Sequence, residues 1–285
     1  MTSPLRADLV LEGGGVRGYG LVGAVDALAV AGYHFPRVAG SSAGAVVAAF
    51  VAALQRAGEP LARLDEIARG FDVRRVRDRG PIARHAGPLS PLADLVAIVA
   101  EGGIFEGDYV RSFLAGALRD LGVEKFGDLR QEDEESSLPV ERRYRLLVTA
   151  SDLSRRRLAR FPWDYAAYGV DPDGQRVVDA LRASVSIPYY FEPVRLAGST
   201  LVDGSVLSNF PIALFDRTDG RPPRWPTFGV RLSARQAAGS VQTRPVTGPV
   251  SMALALVETM LQAADAQHAD DPCVRARTVF VDATG

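Results

Sequence analysis

Twice near its start the chain runs a short apolar segment into glycines and then into a helix. Asp8-Leu9-Val10-Leu11 leads into Gly13-Gly14-Gly15-Val16-Arg17-Gly18, after which apolar residues recur at helical spacing from Gly20 to Ala31. Arg37-Val38-Ala39 leads into Gly40-Ser41-Ser42-Ala43-Gly44, followed by a helix from Ala45 to Arg56 that Gly58 ends. Parallel strands need such crossovers, so two strand–turn–helix units in succession predict an α/β protein with a parallel sheet. The second helix is mostly Ala and Val. A helix apolar all round belongs inside, so it is expected at the centre, against the sheet.

From Pro60 to Leu129 the texture is helical with loops, and residues 60–129 are expected to cover the sheet. One helix is expected over Leu92 to Ala100 behind Ser90-Pro91, another over Tyr109 to Leu121 with Asp108 as its N-cap. Residues 131–143 hold four consecutive acids, Glu132 to Glu135, then serines and Pro139, the composition of a mobile, solvated loop. Strands are expected again at Tyr144 to Ala150, Leu158 to Phe161, Val194 to Leu196, Leu201-Val202, Thr227 to Leu232 and Thr278 to Val281. A helix from Pro249 to Ala266 would carry Ala253, Leu256, Val257, Met260, Leu261 and Ala264 on one apolar stripe. No internal repeat divides the 285 residues, which are read as a single domain, 1–285.

The first glycine loop has the G-x-G-x-x-G spacing of a dinucleotide fingerprint. Such a site also needs an acid at the end of the second strand, where this chain has Val38-Ala39 and Gly40, so no nucleotide cofactor is expected. What survives is a row of backbone N–H groups beside a helix N-terminus, a setting that favours an anion. G-x-S-x-G between strand and helix is the nucleophile elbow: Gly40 and Gly44 relieve crowding around Ser42, and the Ala43 N–H points at an oxygen on a carbon that Ser42 attacks. A serine nucleophile needs a base. Of the three histidines, His34 precedes the second strand, His85 sits in a loop rich in Arg, Gly and Pro, and His268 alone has the late position of a histidine triad. The other candidate is Asp203, where Leu201-Val202 ends in Asp203-Gly204-Ser205 and small neighbours leave the carboxylate space.

In these segments the sequence resembles the patatin-like phospholipases, which pair a glycine-rich oxyanion loop and a G-x-S-x-G serine with an aspartate in D-G-G or D-G-A. The similarity continues through Gly107-Asp108, Phe126-Gly127-Asp128-Leu129, Thr149-Ala150-Ser151-Asp152-Leu153, Ala183-Ser184-Val185-Ser186-Ile187-Pro188 to Pro193, and Asn209-Phe210-Pro211. The resemblance implies a three-layer α/β/α fold with a central, mostly parallel sheet and a helical covering region. It implies Ser42 as nucleophile, Asp203 as general base, and the backbone of Gly13, Gly14, Gly15 and Val16 with Ala43 as oxyanion hole. Gly18, Gly40, Gly44, Gly204 and Asn209 would support them. The implied activity is hydrolysis of lipid carboxylic esters, of the phospholipase A or lysophospholipase type, through an acyl-enzyme. Arg17 has two readings: a guanidinium near a substrate phosphate, or one that binds carbonyls of its own turn. Ser205 departs from the family's glycine or alanine, and a hydroxyl bonded to Asp203 would lower its basicity. Three rivals stand beside this reading: a catalytically idle lipid-binding or scaffold protein, a non-lipid esterase with a His268 triad, and a nicotinamide-binding protein that uses the glycine loop.

Acids and bases nearly cancel, 34 against 33, so no field over the whole surface gathers nucleic acid, and none is expected as a partner. Only Lys125 among the bases is lysine, which makes the positive surface almost wholly guanidinium. Arg155-Arg156-Arg157 with Arg160, and Arg74, Arg75, Arg77 and Arg79, are read as solvated runs, with anionic headgroups as the alternative. Cys273 is the sole cysteine, which excludes an internal disulfide and a cysteine-based zinc site. With neither H-E-x-x-H nor an EF-hand loop, no metal is expected. The longest apolar run, Ala43 to Leu54, is well short of the roughly 18 residues of a spanning helix. The start has no basic segment ahead of a long apolar stretch. A cytoplasmic protein is expected, with peripheral contact at a membrane surface left open.

Overall fold

A computed structural model describes residues 5–76, 103–133, 135, 136, 138–233 and 271–282, together with 246, 252, 255, 256, 259 and 260. The helix expected over Leu92 to Ala100, most of the one from Pro249 to Ala266, and His85, His268, Arg77 and Arg79 lie outside the described residues.

Eight strands make the main sheet: β1 (Asp8–Leu11), β2 (Val38–Gly40), β3 (Leu146–Asp152), β4 (Arg157–Phe161), β5 (Val194–Leu196), β6 (Ser199–Asp203), β7 (Thr227–Ser233) and β8 (Thr278–Asp282). Their order is β8-β7-β1-β2-β3-β6-β5, with β4 pairing β3 off this path. Neighbours from β8 to β3 are parallel, and β4, β5 and β6 join antiparallel. Period-two alternation sends Leu9, Leu11, Val38, Leu146 and Val148 to one face and Val10, Ala39 and Leu147 to the other. On the first face lie α1 (Tyr19–Val30), α2 (Ala43–Ala57), α3 (Arg63–Arg69), α4 (Asp108–Asp120) and α5 (Val177–Ser184). The second face is covered by Phe210, the turn Ile212–Phe215 and the short helix Pro272–Ala276. Helical pieces thus flank the sheet on both sides. Apart from Val46, α2 is buried from Gly44 to Leu54, which explains its Ala/Val composition.

Two expectations change in detail. Asp108 is the first residue of α4, not its cap: Gly107 holds that place with φ 77°, a left-handed conformation that suits glycine. The acidic segment expected to be solvated is tied down in part, since Arg224 pairs with Asp133 at 2.8 Å and with Glu135, and the Gln131 side chain donates to the Pro36 carbonyl.

What positions the site is the register along β3. Its first half runs parallel to β2, with Gly40 opposite Val148, and its second half runs antiparallel to β6, with Asp203 opposite Ala150. The end of β2, where the Ser42 turn begins, and the end of β6, where Asp203 sits, are therefore only two β3 residues apart, although 163 positions separate Gly40 from Asp203 in sequence.

Candidate active site

Ser42 stands between β2 and α2 with φ 51° and ψ −126°, a strained backbone for a residue with a side chain, of the kind that collects at functional sites. The flanking glycines make the turn sterically feasible. A Cβ on Gly40 would lie 2.4 Å from the Gly44 carbonyl carbon, and one on Gly44 would lie 2.4 Å from the Leu11 carbonyl oxygen. The strain is held by bonds on both sides of the serine. The Ser42 N–H donates to Ser184 Oγ at 2.9 Å, while Ser41 Oγ lies 2.6 Å from Thr149 Oγ1 and 2.6 Å from the Ser208 carbonyl oxygen. Among the described hydrogen bonds the Ala43 N–H has no acceptor, as expected for the first residue of a helix.

Ser42 Oγ donates to Asp203 Oδ2 at 2.7 Å. Asp203 is 1 % exposed, and burial raises its carboxyl to about 6 against the opposing pull of Ser42 and Ser205. Ser205 acts on it through its N–H, 2.8 Å from Oδ1, and through its hydroxyl. The Ser205 hydroxyl draws the carboxyl down, and the desolvation of the carboxylate outweighs it. Gly204 lets the loop close in: a Cβ there would lie 2.5 Å from Thr149 Oγ1.

The glycine loop turns through a short 3₁₀ segment, Gly15–Gly18, with Gly15 exposed at φ 54°. One amide expected among the oxyanion donors is occupied elsewhere: the Gly13 N–H donates to the Asn209 carbonyl at 3.0 Å. A Cβ on Gly13 would meet Asn209 Oδ1 at 2.3 Å, so Gly13 serves close packing. Gly18 meets the start of α2, its would-be Cβ 3.1 Å from Ala43 Cβ. Arg17 is exposed, and no bond from its guanidinium to carbonyls of its own turn is found among the described residues; only its N–H reaches the Gly14 carbonyl, at 3.1 Å. His34 lies before β2, at the end away from Ser42.

Beside Ser42 opens a cavity of about 770 Å³. Gly15 and Ala43 border it, and Val46, Phe50, Ile67, Phe113, Ile187 and Phe191 are among the apolar residues that line it, with Arg74 the sole charged side chain on its wall among the described residues. Among the described residues, no group of three His, Cys, Asp or Glu is placed to hold a metal ion, and no helix is long and apolar enough to cross a membrane.

A sequence model of the patatin-like phospholipase family matches residues 9–216, most of the chain and every segment just described. The chain belongs to that family. Among curated proteins, the uncharacterized protein YqhO of Bacillus subtilis is 37% identical over 268 residues, covering 92% of this chain and 82% of its own. An uncharacterized NTE family protein of Mycobacterium bovis is 27% identical over 203 residues, 71% of this chain and 27% of its own. Among solved structures, VipD of Legionella pneumophila matches with TM-score 0.47 and 20% identity over 83% of this chain and 51% of its own. This chain spans about half the length of that structure.

Three further residues of this patatin-like site were not singled out as functional from sequence. Glu12, buried at the end of β1, pairs with Arg231 at 3.1 Å and accepts from the Leu232 N–H at 2.5 Å and from Asn209 Nδ2 at 3.3 Å, which fixes the glycine loop to β7. A charge inside an apolar run was the available signal. Ser184 holds the Ser42 amide, and two residues on, the Ser186 carbonyl accepts from the Asp203 N–H at 2.8 Å. Buried Arg182 anchors that segment through Ser186 Oγ at 2.5 Å and the Glu106 and Glu192 carbonyls. Ser42 and Asp203 thus both hang from one short stretch at the end of α5.

Proposed function

We propose that this patatin-like chain is a serine acyl hydrolase of lipid carboxylic esters, acting through Ser42 and Asp203. The observation that carries the reading is the 2.7 Å hydrogen bond from the strained serine to a buried carboxylate, beside an apolar cavity. Asp203 takes the Ser42 proton as Oγ bonds to the ester carbonyl carbon, and returns it to the alkoxide of the leaving group when the C–O bond breaks. Water, deprotonated by the same carboxylate, then attacks the acyl-enzyme; the acid is released and Ser42 regains its proton. A carboxyl raised to about 6 is mostly ionised at neutral pH yet a better base than a free aspartate, which suits it to both proton transfers. In this reading the negative charge on the carbonyl oxygen is met by the amides of Gly14, Gly15, Val16 and Ala43, each well-aimed donor contributing about 2.7–4 kcal/mol. The apolar lining supports an acyl chain as the group bound.

The test is labelling by a fluorophosphonate together with turnover of a chromogenic medium-chain ester. Ser42→Ala is expected to lose both. Asp203→Asn is expected to lower kcat by about 10²–10⁴-fold, the range for a general base. Full turnover by either variant, or an unlabelled Ser42 in the wild type, would defeat the proposal.

A further inference from the structure

Two turns stand side by side at the active-site end of the sheet. Residues 153–156 join β3 to β4, Ala197 and Gly198 join β5 to β6, and β6 lies antiparallel against β3, so both turns leave the sheet in one direction. They are tied together: the Leu153 N–H donates to the Thr200 carbonyl at 2.9 Å, and the Thr200 N–H to Ser154 Oγ at 3.0 Å. The paired turns carry Arg155, Arg156, Arg157 and Arg195, all exposed, and Leu153, which is 49 % exposed; alternation along the strands puts Leu153 and Arg195 on one face and Arg157 on the other, so the cations flank the tip on both sides. Arg155 lies 3.8 Å from the buried Asp152 carboxylate, while Arg156, Arg157 and Arg195 form no salt bridge among the described residues. Arg195 bonds the Thr200 hydroxyl instead. On a chain of net charge −1 this is a concentrated cationic patch.

We propose that these two turns dock the protein on an anionic lipid bilayer. The rationale rests on the lipid-hydrolase reading above. Arg195 stands opposite Thr200, three residues from Asp203 along β6, which is roughly 10 Å of strand. The segment before β5, with Ile187, Tyr190 and Phe191, lines the cavity and leads straight into that patch. A bilayer held by the arginines therefore lies roughly 10 Å along the strand from Asp203, and Leu153 supplies an apolar side chain for the acyl boundary. An acidic protein would satisfy the guanidinium groups but gives no use to the exposed Leu153. Each arginine near an anionic surface is worth about a fivefold gain in partition.

The experiment is co-sedimentation with phosphatidylcholine vesicles, with and without phosphatidylglycerol, with turnover of a soluble chromogenic ester measured in parallel. The wild type is expected to bind the anionic vesicles, to be released by salt, and to ignore pure phosphatidylcholine. Arg156→Glu/Arg195→Glu is expected to weaken binding by at least about twentyfold at unchanged soluble-ester turnover. The milder Arg156→Gln/Arg195→Gln pair should fall between. Equal binding to both vesicle types, undiminished binding of both variants, or affinity for a soluble polyglutamate without affinity for vesicles overturns the proposal. Vesicle binding without ester turnover would leave the docking surface standing and sink the catalytic reading instead.

Discussion

At the scale of single residues, the site is a contest between desolvation and hydrogen bonding at Asp203. Burial lifts the carboxyl, and Ser42 and Ser205 draw it back to about 6. A general base works only when ionised, so on the proposed mechanism kcat/KM for a soluble ester is expected to rise with pH through about 6, tenfold per unit below it, and then level off. A profile flat from pH 5 to pH 8 would remove Asp203 from the role of base. Ser184 acts one step away, through the Ser42 amide. Ser184→Ala leaves that N–H buried without its acceptor, a loss of about 1–3 kcal/mol in stability. Because the serine then drifts from its strained turn, kcat is expected to fall by roughly tenfold or more while KM holds; steady-state kinetics separate this from mere destabilisation, which would leave both constants unchanged.

At the scale of elements, β1 and β2 are held at the end away from the site by an ion pair between buried Asp8 and half-buried Arg37. The Arg37 Nε lies 2.9 Å from Asp8, and its guanidinium also stacks 4.7 Å from the Phe215 ring centroid. Burial raises the Asp8 carboxyl, and Arg37 opposes that rise. Arg37→Ala strands a carboxylate in the interior, and about 3–5 kcal/mol of stability is expected to go with it, read from the midpoint of urea unfolding. Elements of this kind were unevenly legible. β1, β2 and α2 could be read because a glycine turn between apolar runs is a local signature, and for the same reason Ser42 and Asp203 could be placed. The pairs Leu5–Arg6 with Tyr33–His34 and Gly103–Phe105 with Tyr189–Phe191 could not, since two or three residues are too few to show alternation. Helix α5 was hidden too, because Arg182 and Ser184 are polar residues in a buried helix and make sense only once Ser42 and Asp203 have met above them.

At the scale of the whole molecule, the buried Asp203 carboxylate costs the fold something. The Asp203 carboxyl titrates at about 6 folded against 3.8 for its ordinary value, so between those limits the folded state binds the extra proton. Its contribution therefore falls as pH rises from about 4 to 6 and stays low above, a loss of up to about 3 kcal/mol. Asp203→Asn carries no charge to bury. Its stability relative to the wild type is expected to grow over the same pH interval and to be constant above it, as measured by denaturant unfolding at pH 4 and pH 8; no change in the difference would mean that the charge is solvated.

The two-sided register of β3 has a practical consequence. Because successive strand residues face opposite ways, sliding β6 by a single position would turn Asp203, together with the buried Leu201, to the far face. Such a molecule would pass for native by circular dichroism or size. With Ser42 the nucleophile proposed above, the fraction of molecules that react with a stoichiometric serine probe becomes a count of chains in which β6 has found its proper partner, a gauge of folding fidelity built into the chemistry.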